Sequence, residues 1–324
     1  MEALRKAAEI AVRDCMGVQA GESVLVIMDE PERRIGLALW EAAREVGAEA
    51  MALEIIPRKI NGEEPPRAVA EMMKVVDVIL APTSKSITHT EARRTACACG
   101  ARAATLPGIT EEIMIRTLNA DYRRIAERSR RVAAVLNGAR RARITSAGGT
   151  DLTMGLSSER PVEADTGLVH EKGGCTNLPA GEAYVAPMEG ETNGVLVMDG
   201  SMAGVGLLET PIRLTVKEGL VVEISGGEEA ERLREMIEPY QEAGRNIAEL
   251  GIGTNDKAVV TGVVLEDEKA MGTIHVALGD NASMGGKVHV PIHLDGVVLK
   301  PTLVVDEVAG GDETVILEEG KLMI

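Results

Sequence analysis

Histidine is scarce in this chain. Five occur in 324 residues (His89, His170, His275, His289 and His293), and three of them fall between positions 275 and 293. In GTIHVALG, Ile274, Val276 and Leu278 alternate with Thr273, His275 and Ala277. In HVPIHLD, Val290, Ile292 and Leu294 alternate with His289, Pro291, His293 and Asp295. A period of two predicts strands, each with an apolar face and a polar face. His293 and Asp295 then share a face. With a histidine from a second strand, they supply the imidazole and carboxylate donors that transition metals take. The plain alternative is a polar strand face that meets water. His289 is four residues from His293. At ~3.3 Å per residue that is about 13 Å along a strand, too far for a shared ion, so it is not expected to be a ligand.

Two acids stand near Gly-rich turns. Glu182 lies in NLPAGEAYVAP, where it shares a strand face with Tyr184, opposite Ala183 and Val185. Glu249 lies in NIAELGIGTN, read as the end of a helix over 227–249 that runs into a glycine loop. Taken singly, either acid reads as a solvated side chain.

The elements that would carry these residues follow from periodicity. Short apolar runs (SVLVIM at 23–28, AEAMALEII at 48–56, VVDVILAP at 75–82 and ARAATLPG at 101–108) alternate with helical segments near 2–18, 32–46, 66–74 and 88–99. That alternation predicts an α/β fold, with an N-terminal doubly wound parallel-sheet domain. No GxGxxG follows the first strand and no GxxxxGK[ST] occurs, so the domain shows no nucleotide fingerprint. An Arg-rich helical stretch over 110–138 bridges to a strand-rich α+β domain with several hairpins. The expected division is 1–120 for the doubly wound domain and 121–324 for the metal-binding domain.

Composition narrows the partners. The net charge of −16 argues against a nucleic acid and against an anionic membrane surface. With no Phe, one Trp and three Tyr, base-stacking platforms are nearly absent. No apolar run approaches the ~20 residues that cross a bilayer, and the amphipathic, acid-bearing N-terminus does not read as a signal peptide. A cytoplasmic location is the expectation. Cys15, Cys97, Cys99 and Cys175 form no CxxC pair and read as reduced thiols.

In order and rough spacing, NLPAGEAYVAP, AELGIGTN, GTIHVALGDN and HLDGVV resemble the metal-binding segments of the aminopeptidase T and aminopeptidase S type metalloaminopeptidases. SKSITHTEARRTACACGARAATLPG is similar to that family's N-terminal domain. The resemblance implies metal ligands at Glu182, Glu249, His275, His293 and Asp295. It also implies two divalent ions (zinc or cobalt), a short-peptide or other small-molecule substrate, and a homodimer. Two ions polarise a carbonyl and generate hydroxide near neutral pH, so the leading expectation is an aminopeptidase-like hydrolase with Glu182 among its catalytic residues. The chain departs from that pattern at GDNASMGG (279–286), where the aminopeptidases carry a Tyr.

A second branch of the same superfamily, similar to dihydroxypyridine dioxygenase, keeps two histidines and an aspartate as an iron(II) site. His275, His293 and Asp295 match that pattern. In that branch an N-terminal histidine in an HT-x-AR context acts as base, and His89 matches it. The plain alternative for His89 is a residue beside a Thr88 helix cap.

Overall fold

The apolar runs of the N-terminal third become parallel strands. The computed structural model describes residues 2–307 and 313–324. It divides into two compact units, Met1–Ala126 with Asp165–Ala180, and Glu127–Ala164 with Gly181–Ile324. The sequence division at 120/121 falls just before the first crossing and does not include the return of Asp165–Ala180.

In the first unit, strands Glu49–Ile55, Ser23–Asp29, Val78–Ala81, Arg102–Thr105 and Cys175–Asn177 form a five-stranded sheet in that order. Every pairing in it is parallel. Helices Arg33–Val46, Arg67–Met73 and Glu91–Ala98 connect successive strands. Val78–Ala81 and Arg102–Thr105 are buried along their whole length, as parallel strands covered on both faces must be. The fifth strand, Cys175–Asn177, comes from a Gly-rich stretch that carries no strand periodicity of its own.

The second unit holds an eight-stranded and a seven-stranded sheet. Four strands at the centre of the seven-stranded sheet matter most: Glu182–Val185, Ile247–Gly253, Thr273–Gly279 and His293–Leu299, each antiparallel to the next. Alternate residues (Leu250, Ile252, Ile274, Val276, Leu294 and Val298) join Ile144, Leu152 and Leu196 of the eight-stranded sheet in one apolar core. Each such side chain contributes about 1.5–3 kcal/mol by leaving water. The intervening residues are thereby fixed on the opposite face, because successive side chains of a strand alternate.

Two expectations about these strands are corrected. The helix read over 227–249 stops at Ile237, and Glu238–Tyr240 forms a 3-10 turn around Pro239. Pro239 lacks the amide donor a continuing helix needs. Glu249 therefore sits inside a strand rather than at a helix end. The strand read through HVPIHLD begins only at His293, so His289 lies outside it.

Candidate metal centre

Strand register assembles the site. Glu249 pairs with Ala277, which pairs with Asp295 on its other side. Gly251 pairs with His275, Gly253 with Glu182, and Gly279 with His293. Two carboxylates thus flank one alanine, whose methyl leaves space above it. Gly251 makes room in a second way. A Cβ there would lie 1.9 Å from His275 Nε2, so the imidazole occupies space that any other residue at position 251 would fill.

The five sequence-derived residues converge. His275 Nε2 lies 3.3 Å from Glu249 Oε1 and 3.4 Å from Glu182 Oε2. His293 Nε2 lies 3.0 Å from Glu249 Oε2 and 3.5 Å from Asp295 Oδ1. Glu249 thereby offers one oxygen to each imidazole. Potential ligand atoms fall into two sets, Glu249 with His293 and Asp295, and Glu182 with Glu268 and His275. His275 is 1% exposed, and Glu182, Glu249 and Asp295 are nearly as buried. His293 keeps a third of its side chain exposed and marks the open edge.

The tautomer of His293 follows from its partner. Its Nδ1 lies 2.8 Å from the Asp280 carbonyl, which can only accept, so Nδ1 carries the hydrogen and Nε2 faces the carboxylates. His289 is exposed and hydrogen-bonds through Nδ1 to Asp280 Oδ1 at 3.0 Å. It belongs to neither ligand set.

So much buried negative charge demands cations. At His275 burial opposes protonation, but the hydrogen bond to Glu249 and the charges of Glu182, Glu249 and Asp295 outweigh it, raising the pKa to about 9. At His293 burial is likewise outweighed, by Asp295 and Glu249, and the pKa is pushed well above the ordinary range. Burial would raise the Glu249 carboxyl, yet the two imidazoles hold it well below the usual carboxylate range. In effect the carboxylates recruit protons onto the two imidazoles. A divalent ion satisfies the same demand and needs those nitrogens unprotonated. Asp295 Oδ1 and His275 Nδ1 are buried without a formed hydrogen bond, a further sign of unmet polar demand. The donor set of imidazole nitrogens and carboxylate oxygens fits a transition metal.

Two participants escape the sequence reading. Lys269 is 1% exposed, and its Nζ donates to Glu182 Oε1 at 2.7 Å and to Glu268 Oε1. Both come from VLEDEKA, whose run of charge reads as a solvated surface. His89 lies in the first unit, on an exposed turn before helix Glu91–Ala98. The cap of that helix is Thr90, whose hydroxyl accepts from the Arg93 amide. Thr88 instead bonds Thr105 Oγ1 at 2.7 Å and Asn177 Oδ1 at 3.2 Å. Among the described residues no helix is long and apolar enough to cross a membrane.

Comparison with known proteins separates the two expectations. The sequence profile of the 2,5-dihydroxypyridine 5,6-dioxygenase family (NicX) matches residues 5–323. The 2,5-dihydroxypyridine 5,6-dioxygenase of Pseudomonas putida is 29% identical over 187 residues, which is 51% of this chain and 52% of that protein, so the alignment spans about half the relative's length. A solved structure of 2,5-dihydroxypyridine dioxygenase from Pseudomonas putida superposes with a TM-score of 0.83 at 21% identity, covering 99% of this chain and 96% of that one. Wild-type AmpT from Thermus thermophilus superposes with a TM-score of 0.72 at 18% identity, covering 100% and 99%. At such identities both superpositions speak to the fold, a mixed α/β architecture common to the two. The expectation of a zinc- or cobalt-dependent aminopeptidase-like hydrolase rested on short motifs and on the pair Glu182 and Glu249, read as carboxylates enough for two ions. A profile running over nearly the whole chain discriminates where those motifs do not, and it corrects that expectation: the chain belongs to the 2,5-dihydroxypyridine 5,6-dioxygenase family.

Proposed function

We propose that the protein is a non-haem iron(II) dioxygenase that opens the ring of a small hydroxylated heterocycle of the 2,5-dihydroxypyridine kind. The family profile over residues 5–323 carries this reading, and the convergence of His275 Nε2 and His293 Nε2 on Glu249, with Asp295 beside them on the same sheet face, supports it. Two imidazoles and one carboxylate are the donors of the facial iron(II) site of oxygenases. His275, His293 and Asp295 would hold the metal. Iron(II), when bound, supplies the redox chemistry that lets dioxygen react with an aromatic ring.

The chain's own groups prepare that chemistry. The Asp280 carbonyl fixes the His293 tautomer with Nε2 free to ligate. Glu249, lying between the imidazoles, adds negative charge that favours a divalent ion. The burial of His275 and Asp295 lowers the local dielectric and strengthens each of these interactions. His89 is assigned the role of general base toward a substrate hydroxyl, on the family resemblance of its HT-x-AR context. A general base contributes about 10²–10⁴ in rate, so His89→Ala should lower turnover by that range and leave bound metal unchanged.

The test is metal exchange. Protein reconstituted anaerobically with iron(II) should consume dioxygen when given 2,5-dihydroxypyridine, and protein reconstituted with zinc should not, because zinc has no redox chemistry. Equal turnover by the zinc and iron forms would refute the proposal.

A further inference from the structure

The two ligand sets look like the two halves of a dinuclear centre, yet they are not equivalent. Among the described residues, Glu249 and Asp295 are met by the imidazoles of His275 and His293. Into the set of Glu182, Glu268 and His275 projects Lys269, with Nζ 2.7 Å from Glu182 Oε1 and 2.5 Å from Glu268 Oε1. The lysine side chain is 2% exposed, against 8% for Glu182 and 15% for Glu268. An ammonium is a compact positive charge with three donors. Here it already takes one oxygen of each of two carboxylates, and its charge stands where a second ion would have to sit ~2.0–2.2 Å from such oxygens.

The lysine is held in place by its own segment. Its amide donates to the Glu266 carbonyl at 3.0 Å, and its carbonyl accepts from the Asn255 amide at 2.9 Å. The preceding acids pin the loop. Glu266 Oε1 accepts from the Val259 amide at 3.1 Å, and Asp267 accepts from the amides of Thr261 at 2.6 Å and Gly262 at 2.9 Å. Withdrawing Nζ to admit an ion would leave a buried ammonium without its carboxylates.

We infer that Lys269 occupies the second cation position of the site and restricts this chain to one divalent ion. The inference rests on the metal reading proposed above, but concerns the number of ions rather than the reaction. Within one sheet face, a lysine at this position separates a single-ion centre from a two-ion centre.

The test counts metal. Metal-free protein is saturated with cobalt(II), desalted and analysed for cobalt per chain, with circular dichroism to confirm folding. Wild-type protein should retain one ion, Lys269→Arg one, and Lys269→Met, similar in length but uncharged, two. The cobalt electron paramagnetic resonance signal should be that of isolated ions in wild type and of a coupled pair in Lys269→Met. Two ions in the wild-type protein overturn the inference, and this outcome needs no variant to fold. One ion in a folded Lys269→Met overturns it as well, while leaving the metal reading intact. No retained ion in wild type would sink the metal reading itself.

Discussion

The two sheets of the C-terminal unit both carry acid–base side chains on neighbouring strands, with opposite consequences. On the eight-stranded sheet, Arg141 pairs with Asp306 and Arg143 with Asp151, and the two arginines are 60% and 63% exposed. Water solvates each of these charges whether or not its partner is present. On the seven-stranded sheet, Glu249, His275 and Asp295 are each under 9% exposed, so every charge must be met by another group of the chain or by a bound ion. The difference lies less in residue type than in the neighbours. Between the ligands, Gly251 carries no side chain and Ala277 only a methyl, whereas Thr153 and Asn193 stand among the exposed pairs. A charged pair on a strand becomes a site when burial removes water as the alternative partner.

The largest effect that could break this contrast is expected at Asp295. Asp295→Ala should weaken metal binding by more than the ~10–100-fold typical of losing an outer-shell partner, measured by titration of the metal-free protein. Retention of wild-type affinity would show that burial alone had been mistaken for a ligand role. Gly251→Ala comes next. Its Cβ would sit 1.9 Å from His275 Nε2, so the ring must move, at an expected cost of about 1–3 kcal/mol in stability and with weaker metal binding. An unchanged melting temperature and unchanged metal content would show that the glycine does not set the ring's position.

A pH dependence sharpens the contrast further. In metal-free protein the His275 pKa is raised to about 9 from 6.5. The folded state therefore binds its proton more tightly than the unfolded chain does. That stabilisation is full below pH 6.5 and is lost as pH rises toward 9. The melting temperature of metal-free protein should fall across this window. Metal-loaded protein, in which an ion replaces the proton, should show a flatter profile, and parallel profiles would contradict the assignment. The smallest effect belongs to the exposed sheet. Arg143→Ala should leave both the melting temperature and the metal content close to wild type, because water solvates the exposed pair.

Much of this arrangement is legible in the chain. His275, His293 and Asp295 announce themselves through alternation with apolar residues, and a period of two is enough to place His293 and Asp295 on one face; the register of the neighbouring strand brings His275 to it. The parallel sheet is equally readable from its buried strands. Glu249 reads as helical because alanine, glutamate and leucine favour a helix locally, and only pairing with Thr273–Gly279 and Glu182–Val185 makes Ile247–Gly253 a strand. Pro239 is the available sign that the preceding helix has ended. His289 falls in an alternating run that Pro291 interrupts. Lys269 and Glu268 are invisible because the burial of a charged run is decided by tertiary packing, which leaves no period in the sequence. The choice between hydrolysis and oxygenation is illegible for another reason: both chemistries draw on the same histidine and carboxylate motifs.

The central claim is that this buried face serves ring-opening oxygenation, and labelled dioxygen tests it most directly. Iron(II)-loaded protein turning over 2,5-dihydroxypyridine under ¹⁸O₂ should place both labelled atoms in the product, read by mass spectrometry. The Asp295→Ala protein should yield no labelled product. Product that carries label only from H₂¹⁸O, formed equally well without dioxygen, would mean that the site activates water and would contradict the account.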